Sequence, residues 1–324
     1  MPETTAGGDA RQSPGIGPGS EPFQNHFEVP VAGGALIVAR AGPPPERAGP
    51  VVLALHGMTG SHMVYRTVAR ELCRTTRGVC VIAPDLRGRG ASAHLSEPCG
   101  MAAHVADLLA VLDHVGAERA IVVGHSMGCN IAARFCAEHP DRTAGVVLLD
   151  GGLPPRTDKM TEEAEEDDDS EPHELLARFH MTFPTVEAYM GYWRSHPALA
   201  KAWDDDIDAF LRCDFVEDEQ GVRCISNERV VLTDAAELVF DGVTWTALTR
   251  VQAPVRLMRA ERGMYDDDPL IPLPDLDAFL DANPSVSAEL VPDVNHFTLV
   301  IGRGHGPGRV AATIAELAVG AARE

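Results

Sequence analysis

Ala120-Ile121-Val122-Val123-Gly124-His125-Ser126-Met127-Gly128-Cys129-Asn130-Ile131-Ala132-Ala133-Arg134-Phe135-Cys136 is the stretch that decides the fold. An apolar run ends in Gly-x-Ser-x-Gly and passes directly into a helix-like sequence, so the serine falls on a sharp strand-to-helix turn. Such a turn forces its serine into a backbone conformation that L-residues avoid. Glycines at 124 and 128 remove the side chains that would collide with the neighbouring strand and helix. The Ser126 hydroxyl is then left exposed above the sheet edge, which makes it a candidate nucleophile and not merely a surface serine in a softened turn.

Outward from that turn the alternation continues. Strands are expected at 35–40, 51–55, 79–83, 120–123, 146–149, 255–258 and 288–291, with helices at 63–75, 101–115, 127–138 and 307–322. Several strands are continuous Val, Ile and Leu runs, as burial on both faces requires. The class is α/β, a mostly parallel sheet with helices on both sides. The rhythm breaks between Gly151 and about Arg250, where Phe179, Phe183, Tyr189, Trp193, Trp203 and Phe210 sit in helix-like surroundings. The expected organisation is a flexible tail over 1–22, a core of 23–151 and 251–324, and a helical cap over 152–250.

Composition narrows the chemistry. A chain of 324 residues that is 45% hydrophobic can bury one large core, with or without a smaller insert. Its apolar runs stay short of the roughly 18 residues of a spanning helix, and the N-terminal residues lack the pattern of a secretion signal, so a cytoplasmic protein is expected. The seven cysteines include no C-x-x-C pair, which argues against a disulfide framework or a zinc cage. A formal charge of −21 disfavours nucleic acid, anionic membranes and polyanionic substrates, leaving a neutral small molecule as the expected partner. Much of the charge lies in one acidic loop, 158–171, where like charges repel and favour a solvated segment that could gate access. Its acids lack a spaced ligand pattern, so no metal site is expected there.

A serine hydroxyl near neutral pH needs a histidine to accept its proton and a carboxylate to orient the imidazole. His296, in Val294-Asn295-His296-Phe297, follows the last expected strand and would lie at the same sheet edge as Ser126. His305, further along in a glycine-rich loop, is the rival. For the acid, Asp150 ends the strand at 146–149, beside the strand that bears the serine. Asp266, with Asp267 and Asp268 behind it, is the alternative, and would reach in only if the loop after 255–262 curled back. The oxyanion of a tetrahedral intermediate needs two preorganised donors. The Met127 N–H, at a helix N-terminus, and the Met58 N–H, in the loop Leu55-His56-Gly57-Met58-Thr59-Gly60, are the expected pair. His56 is expected to hold that loop by hydrogen bonding.

Together these residues resemble the α/β-hydrolase superfamily, from about Gln24 to the end of the chain. Leu55-His56-Gly57-Met58-Thr59-Gly60 looks like its oxyanion loop, and Pro84-Asp85-Leu86-Arg87-Gly88-Arg89-Gly90-Ala91-Ser92 like its loop after strand four. Gly124-His125-Ser126-Met127-Gly128 matches its nucleophile elbow and Asn295-His296-Phe297 its histidine turn. In the superfamily's count the elbow follows strand five and the cap is inserted after strand six. Its acid usually follows strand seven, where this chain carries Gly263. An acid after strand six, as at Asp150, is similar to some haloalkane dehalogenases. Haloalkane dehalogenases and epoxide hydrolases carry an aspartate at the elbow, so Ser126 argues against both. Asp85 matches a loop-bracing position. The resemblance implies a serine hydrolase of a carboxylic ester, lactone or thioester, with no cofactor; Met58, Met127 and cap aromatics such as Trp193 point to an apolar pocket. The alternatives are acyl transfer or cofactor-free perhydrolysis on the same triad, or a ligand-binding protein with little turnover.

Overall fold

A computed structural model describes residues 21–154 and 178–321. The acidic loop 158–171 and most of the expected tail lie outside the described residues. Ten strands lie among those described: β1 (Asn25–Val31), β2 (Gly34–Ala41), β3 (Val51–Leu55), β4 (Cys80–Pro84), β5 (Ala120–His125), β6 (Thr143–Leu149), β7 (Phe215–Asp218), β8 (Gly221–Cys224), β9 (Val255–Arg262) and β10 (Val286–Asn295). Eight of them form one sheet in the order β1-β2-β4-β3-β5-β6-β9-β10. From β4 to β10 every neighbouring pair is parallel; near one edge β2 runs antiparallel to both of its neighbours, β1 and β4. All seven strands expected from the sequence are in this sheet, while β1 adds an eighth.

The helices placed among the described residues are, in chain order, α1 (Arg66–Thr75), α2 (Met101–His114), α3 (Met127–Glu138), α4 (Val186–Arg194), α5 (Pro197–Ala200), α6 (Asp205–Leu211), α7 (Glu228–Phe240), α8 (Gly242–Trp245), α9 (Leu273–Ala282) and α10 (His305–Ala321). Successive strand side chains point to opposite faces, and here both faces are buried. Val52, Ala54, Ile121, Val123, Val147 and Leu149 pack toward α1 and α10. Leu53, Leu55, Val122, Val146, Leu148 and Leu257 pack toward α2, α3 and α9. Burying each such side chain contributes roughly 1.5–3 kcal/mol, so the two apolar layers anchor the sheet and with it the loops at the C-terminal ends of its strands.

The segment between β6 and β9 departs from the helical cap expected over 152–250. It contains α4 to α8 but also the antiparallel β7–β8 hairpin, which Phe183 extends through a bridge to Val222. Two buried carboxylates tie the segment to the core. Asp206, at the start of α6, pairs with Arg66 and Arg70 of α1. Asp234, in the middle of α7, pairs with Arg89 and His104.

Candidate active site

β5 delivers Ser126 at its C-terminal end. The serine has φ 55° and ψ −125°, a strained conformation for an L-residue, and α3 begins at the next residue. Close packing requires the flanking glycines: a Cβ at Gly124 would overlap the Gly128 carbonyl, and one at Gly128 would overlap that of Leu55. The Ser126 N–H donates to Leu149 O at the end of β6 (3.0 Å), and Ser126 O accepts from Cys129 N (2.9 Å). The strained turn is therefore held by the strand next door as well as by the helix that follows.

Asp150 continues directly from β6, with φ 53°. Its N–H donates to Met258 O (2.8 Å) and its Oδ1 accepts from Ala260 N (3.0 Å), so backbone of β9 fixes the carboxylate. Its Oδ2 accepts a hydrogen bond from His296 Nδ1 at 2.8 Å. Both residues are almost wholly out of solvent, at 0% and 2% exposure. His296 leaves β10 at Asn295, whose side chain ties the turn by accepting from Phe297 N (3.1 Å) and Thr298 N (2.9 Å). The His296 carbonyl accepts from Nε2 of His125, the residue before the elbow serine (2.9 Å), and the two rings lie 4.6 Å apart.

Asp266 is brought elsewhere. Its Oδ1 accepts from Arg262 Nε (2.6 Å) and Asn295 Nδ2 (3.1 Å), and its Oδ2 pairs with Lys201 Nζ (3.2 Å). Partial burial raises its pKa, but the Arg262, Asn295 and Lys201 hydrogen bonds outweigh that and hold the carboxyl below its usual range. Asp267 turns its carboxylate onto Tyr265 N (3.1 Å), and Asp268 is exposed. His305 opens α10 and donates to Pro292 O (2.8 Å), at the surface. Of the paired candidates, then, Asp150 and His296 meet; Asp266 and His305 do not join them.

The loop after β3 lies against the elbow: a Cβ at Gly57 would stand 3.1 Å from Ser126 Cβ. His56 donates from Nδ1 to Gly57 O (2.9 Å) and accepts at Nε2 from Leu86 N (2.9 Å), joining the loops after β3 and β4. Burial lowers its pKa to about 4, so the ring stays neutral and both nitrogens keep those roles. Burial, with the adjacent His296, likewise holds His125 well below the ordinary histidine value. Among the described residues, no hydrogen-bond acceptor is matched to the N–H groups of Met58 and Met127. Asp85, in the loop after β4, accepts from His62 N (2.6 Å), His62 Nδ1 (2.8 Å) and Ala91 N (2.8 Å), which braces that loop against the start of α1. Burial works against its charge, but the His62 contacts prevail and lower its pKa.

Two charged pairs near the site were not singled out from the sequence. Arg89 and Asp234 are fully buried and paired, and Arg178 pairs with Asp214 while donating to Thr59 Oγ1 (2.6 Å). A signal for Asp234 exists: it falls three and four residues after Val231 and Val230, on the buried stripe of a helix, where an acid requires a partner. Of the aromatics between β6 and β9, Tyr189, Trp193 and Phe210 are buried in the apolar layer on the α1 side. Phe297 meets the His296 ring edge-on at 5.5 Å. Among the described residues, no group of three or more His, Cys, Asp or Glu is arranged to hold a metal ion, and no helix is long and apolar enough to cross a membrane.

The sequence profile of a family described as alpha/beta hydrolase fold matches residues 50–183, the run from β3 through the elbow and β6. The chain has the α/β-hydrolase fold. The chain is 40% identical over 116 residues to epoxide hydrolase B of Mycobacterium tuberculosis, covering 35% of the chain and 32% of that protein. A longer match, 29% identical over 248 residues, is to a serine hydrolase-like protein of Danio rerio and covers 74% of this chain and 73% of the relative. The chain thus aligns with about a third of the epoxide hydrolase's length. Among solved structures, E-2-(acetamidomethylene)succinate hydrolase superposes with a TM-score of 0.71 over 90% of this chain and 98% of its own, at 20% identity, a likeness of fold.

Proposed function

We propose that this protein cleaves a carboxylic ester, lactone or thioester of a largely apolar small molecule through an acyl-enzyme on Ser126. The observation that carries the reading is the buried 2.8 Å hydrogen bond from His296 Nδ1 to Asp150, at the sheet edge where Ser126 occupies its strained turn. In this reading Ser126 Oγ attacks the carbonyl carbon while His296 Nε2 takes its proton, and Asp150 stabilises the imidazolium and fixes the tautomer. The carbonyl electron pair moves onto oxygen, where the Met58 and Met127 N–H groups hold it. Collapse breaks the bond to the alcohol or thiol, which leaves with the proton from His296. Water, deprotonated by His296, then releases the acid and restores the serine. The segment between β6 and β9 acts as a cap over this edge.

The likeness to an epoxide hydrolase does not transfer its chemistry. A carboxylate that opens an epoxide forms an ester, which water can cleave at its carbonyl. Serine opening the same ring would form an ether with no carbonyl to attack, and the elbow residue here is Ser126.

The test is labelling with a fluorophosphonate probe, mapped by mass spectrometry, beside turnover of p-nitrophenyl esters of graded chain length, lactones, thioesters and styrene oxide. Stoichiometric modification of Ser126 and ester turnover abolished by Ser126→Ala are expected. Acyl products formed preferentially with added alcohols or amines would turn the reading toward acyl transfer. An unlabelled serine without turnover would leave a binding protein, and epoxide opening that survives Ser126→Ala would overturn the mechanism.

A further inference from the structure

We propose that Arg89, clamped by Asp234 of α7, is a positioning residue that aims the Met58 N–H at the oxyanion and so couples the oxyanion loop to the seating of the inserted segment; this rests on the serine-hydrolase reading above.

Two peptide planes set the direction of the Met58 N–H. The plane joining residues 57 and 58 carries Gly57 C=O and, pointing the opposite way in a trans peptide, Met58 N–H. His56 Nδ1 holds that carbonyl at 2.9 Å. The next plane carries Met58 C=O, and Arg89 Nε donates to it at 2.8 Å. With both planes pinned, φ and ψ of Met58 have no freedom, and the direction of its N–H is set. The second pin is the stronger because its donor is charged.

The same guanidinium reaches the other expected donor. Arg89 Nη2 lies 3.7 Å from Met58 Sδ and 3.8 Å from Met127 Sδ, so one cation touches both residues whose amides would bind the oxyanion. Thioethers are weak acceptors, which leaves much of that positive charge uncompensated on the side facing the site. On the other side compensation is complete: Nη1 pairs with Asp234 Oδ2 and donates to Arg87 O (2.9 Å). Arg89 has no solvent exposure, and a cation so buried keeps its place only while its partner does. That partner belongs to α7, outside the core sheet and its flanking helices. Asp234 is itself fixed by Gly100 N (3.1 Å) and His104 Nε2 (2.9 Å), and the α7 cap Asn227 donates its N–H to Gly88 O, one residue before Arg89 (2.7 Å). Displacing α7 would therefore strand the guanidinium and release the Met58 carbonyl.

The experiment compares wild type with Asp234→Asn, Arg89→Lys and Arg89→Met, each checked for folding by thermal unfolding. A p-nitrophenyl ester supplies kcat and KM, and a trifluoromethyl ketone, which adds to serine as a tetrahedral oxyanion, supplies Ki. Loss of a complete oxyanion donor lowers rate about 10²- to 10³-fold, so a misaimed donor should lower kcat by roughly 10- to 100-fold in Arg89→Met, and by less in Asp234→Asn. KM should stay within about threefold, because the interaction is made in the transition state, and Ki should rise by the factor that kcat falls. If Arg89→Met does not fold, the same split in Arg89→Lys and Asp234→Asn supports the proposal. Folded variants with unchanged kcat, or with the loss in KM, or with Ki unmoved, overturn it while leaving the serine-hydrolase reading intact. A wild-type protein whose Ser126 resists the fluorophosphonate probe overturns that reading and this inference with it.

Discussion

Asp150 and Asp266 stand at the ends of neighbouring parallel strands, β6 and β9, and both adopt positive φ, 53° and 64°. Their surroundings differ in kind. Asp150 is fully buried, and its partners among the described residues are two backbone positions of β9 and the imidazole of His296. Asp266, partly exposed, is shared between a guanidinium, an ammonium and an amide. A carboxylate already neutralised by two cations has little field left for an imidazolium, whereas one buried among amides holds its charge for the group that faces it. Burial beside a single titratable partner, more than nearness to the usual place in the chain, separates a catalytic candidate from a surface strut.

Exchanging charge for an isosteric amide puts the contrast under the most strain. Asp150→Asn keeps the shape but cannot support the imidazolium, and kcat for an ester should fall by about 10³- to 10⁴-fold; steady-state kinetics on the folded variant measures it, and a fall below tenfold breaks the comparison. Next comes an attempt to move the acid to the other strand. A Cβ at Gly263 would overlap the Asp268 carbonyl, so Gly263→Asp added to Asp150→Asn should restore no activity and should destabilise the protein by about 1–3 kcal/mol, read by denaturant unfolding. Recovery of even a tenth of wild-type kcat would show that the β9 loop can host the acid after all.

Smaller effects lie on the Asp266 side. Asp266→Asn should leave kcat within about threefold of wild type and cost about 1 kcal/mol or less, as partly exposed ion pairs do. Its pH dependence has a definite sign. The folded pKa lies below the unfolded value of about 3.8, so the contribution is present at neutral pH and disappears as pH falls through the folded pKa. Melting temperatures of wild type and variant should converge in acid below about pH 4; a gap that widens there would contradict the assigned partners.

Much of this arrangement is legible in the amino-acid order because the sheet and elbow obey local rules. Apolar runs buried on both faces, such as Ala120-Ile121-Val122-Val123, glycines that tolerate no Cβ, and a histidine just past the last strand leave marks at short range. What escaped reading is set at long range. In β1 the alternation of Phe27, Val29 and Val31 is blurred by His26 and Pro30, tolerable at a sheet edge. β7 and β8 are four residues each, with Glu217, Asp218 and Glu219 at the turn giving the look of a solvated loop. α9 opens with Leu273-Pro274, and proline near a helix start reads as a breaker unless its first-turn position is recognised. The Arg89–Asp234 pair joins residues 145 positions apart, and only the buried stripe of α7 hints at it. Asp150 could be preferred over Asp266 because β6 lies beside β5, a consequence of strand order that sequence rhythm supports, whereas the two cations and the amide around Asp266 come from three separate segments.

α7 does more than hold Arg89. Asp234 Oδ1 and Glu237 Oε2 accept from Gly100 N (3.1 Å) and Met101 N (2.6 Å), the opening amides of α2, where negative charge also suits the helix dipole. A core helix thus borrows its first-turn anions from a helix more than a hundred residues later. Any chimaera that grafts a foreign insert between β6 and β9 must bring two acids spaced three apart to this spot, or rewrite Gly100 and its neighbours so that α2 terminates on its own.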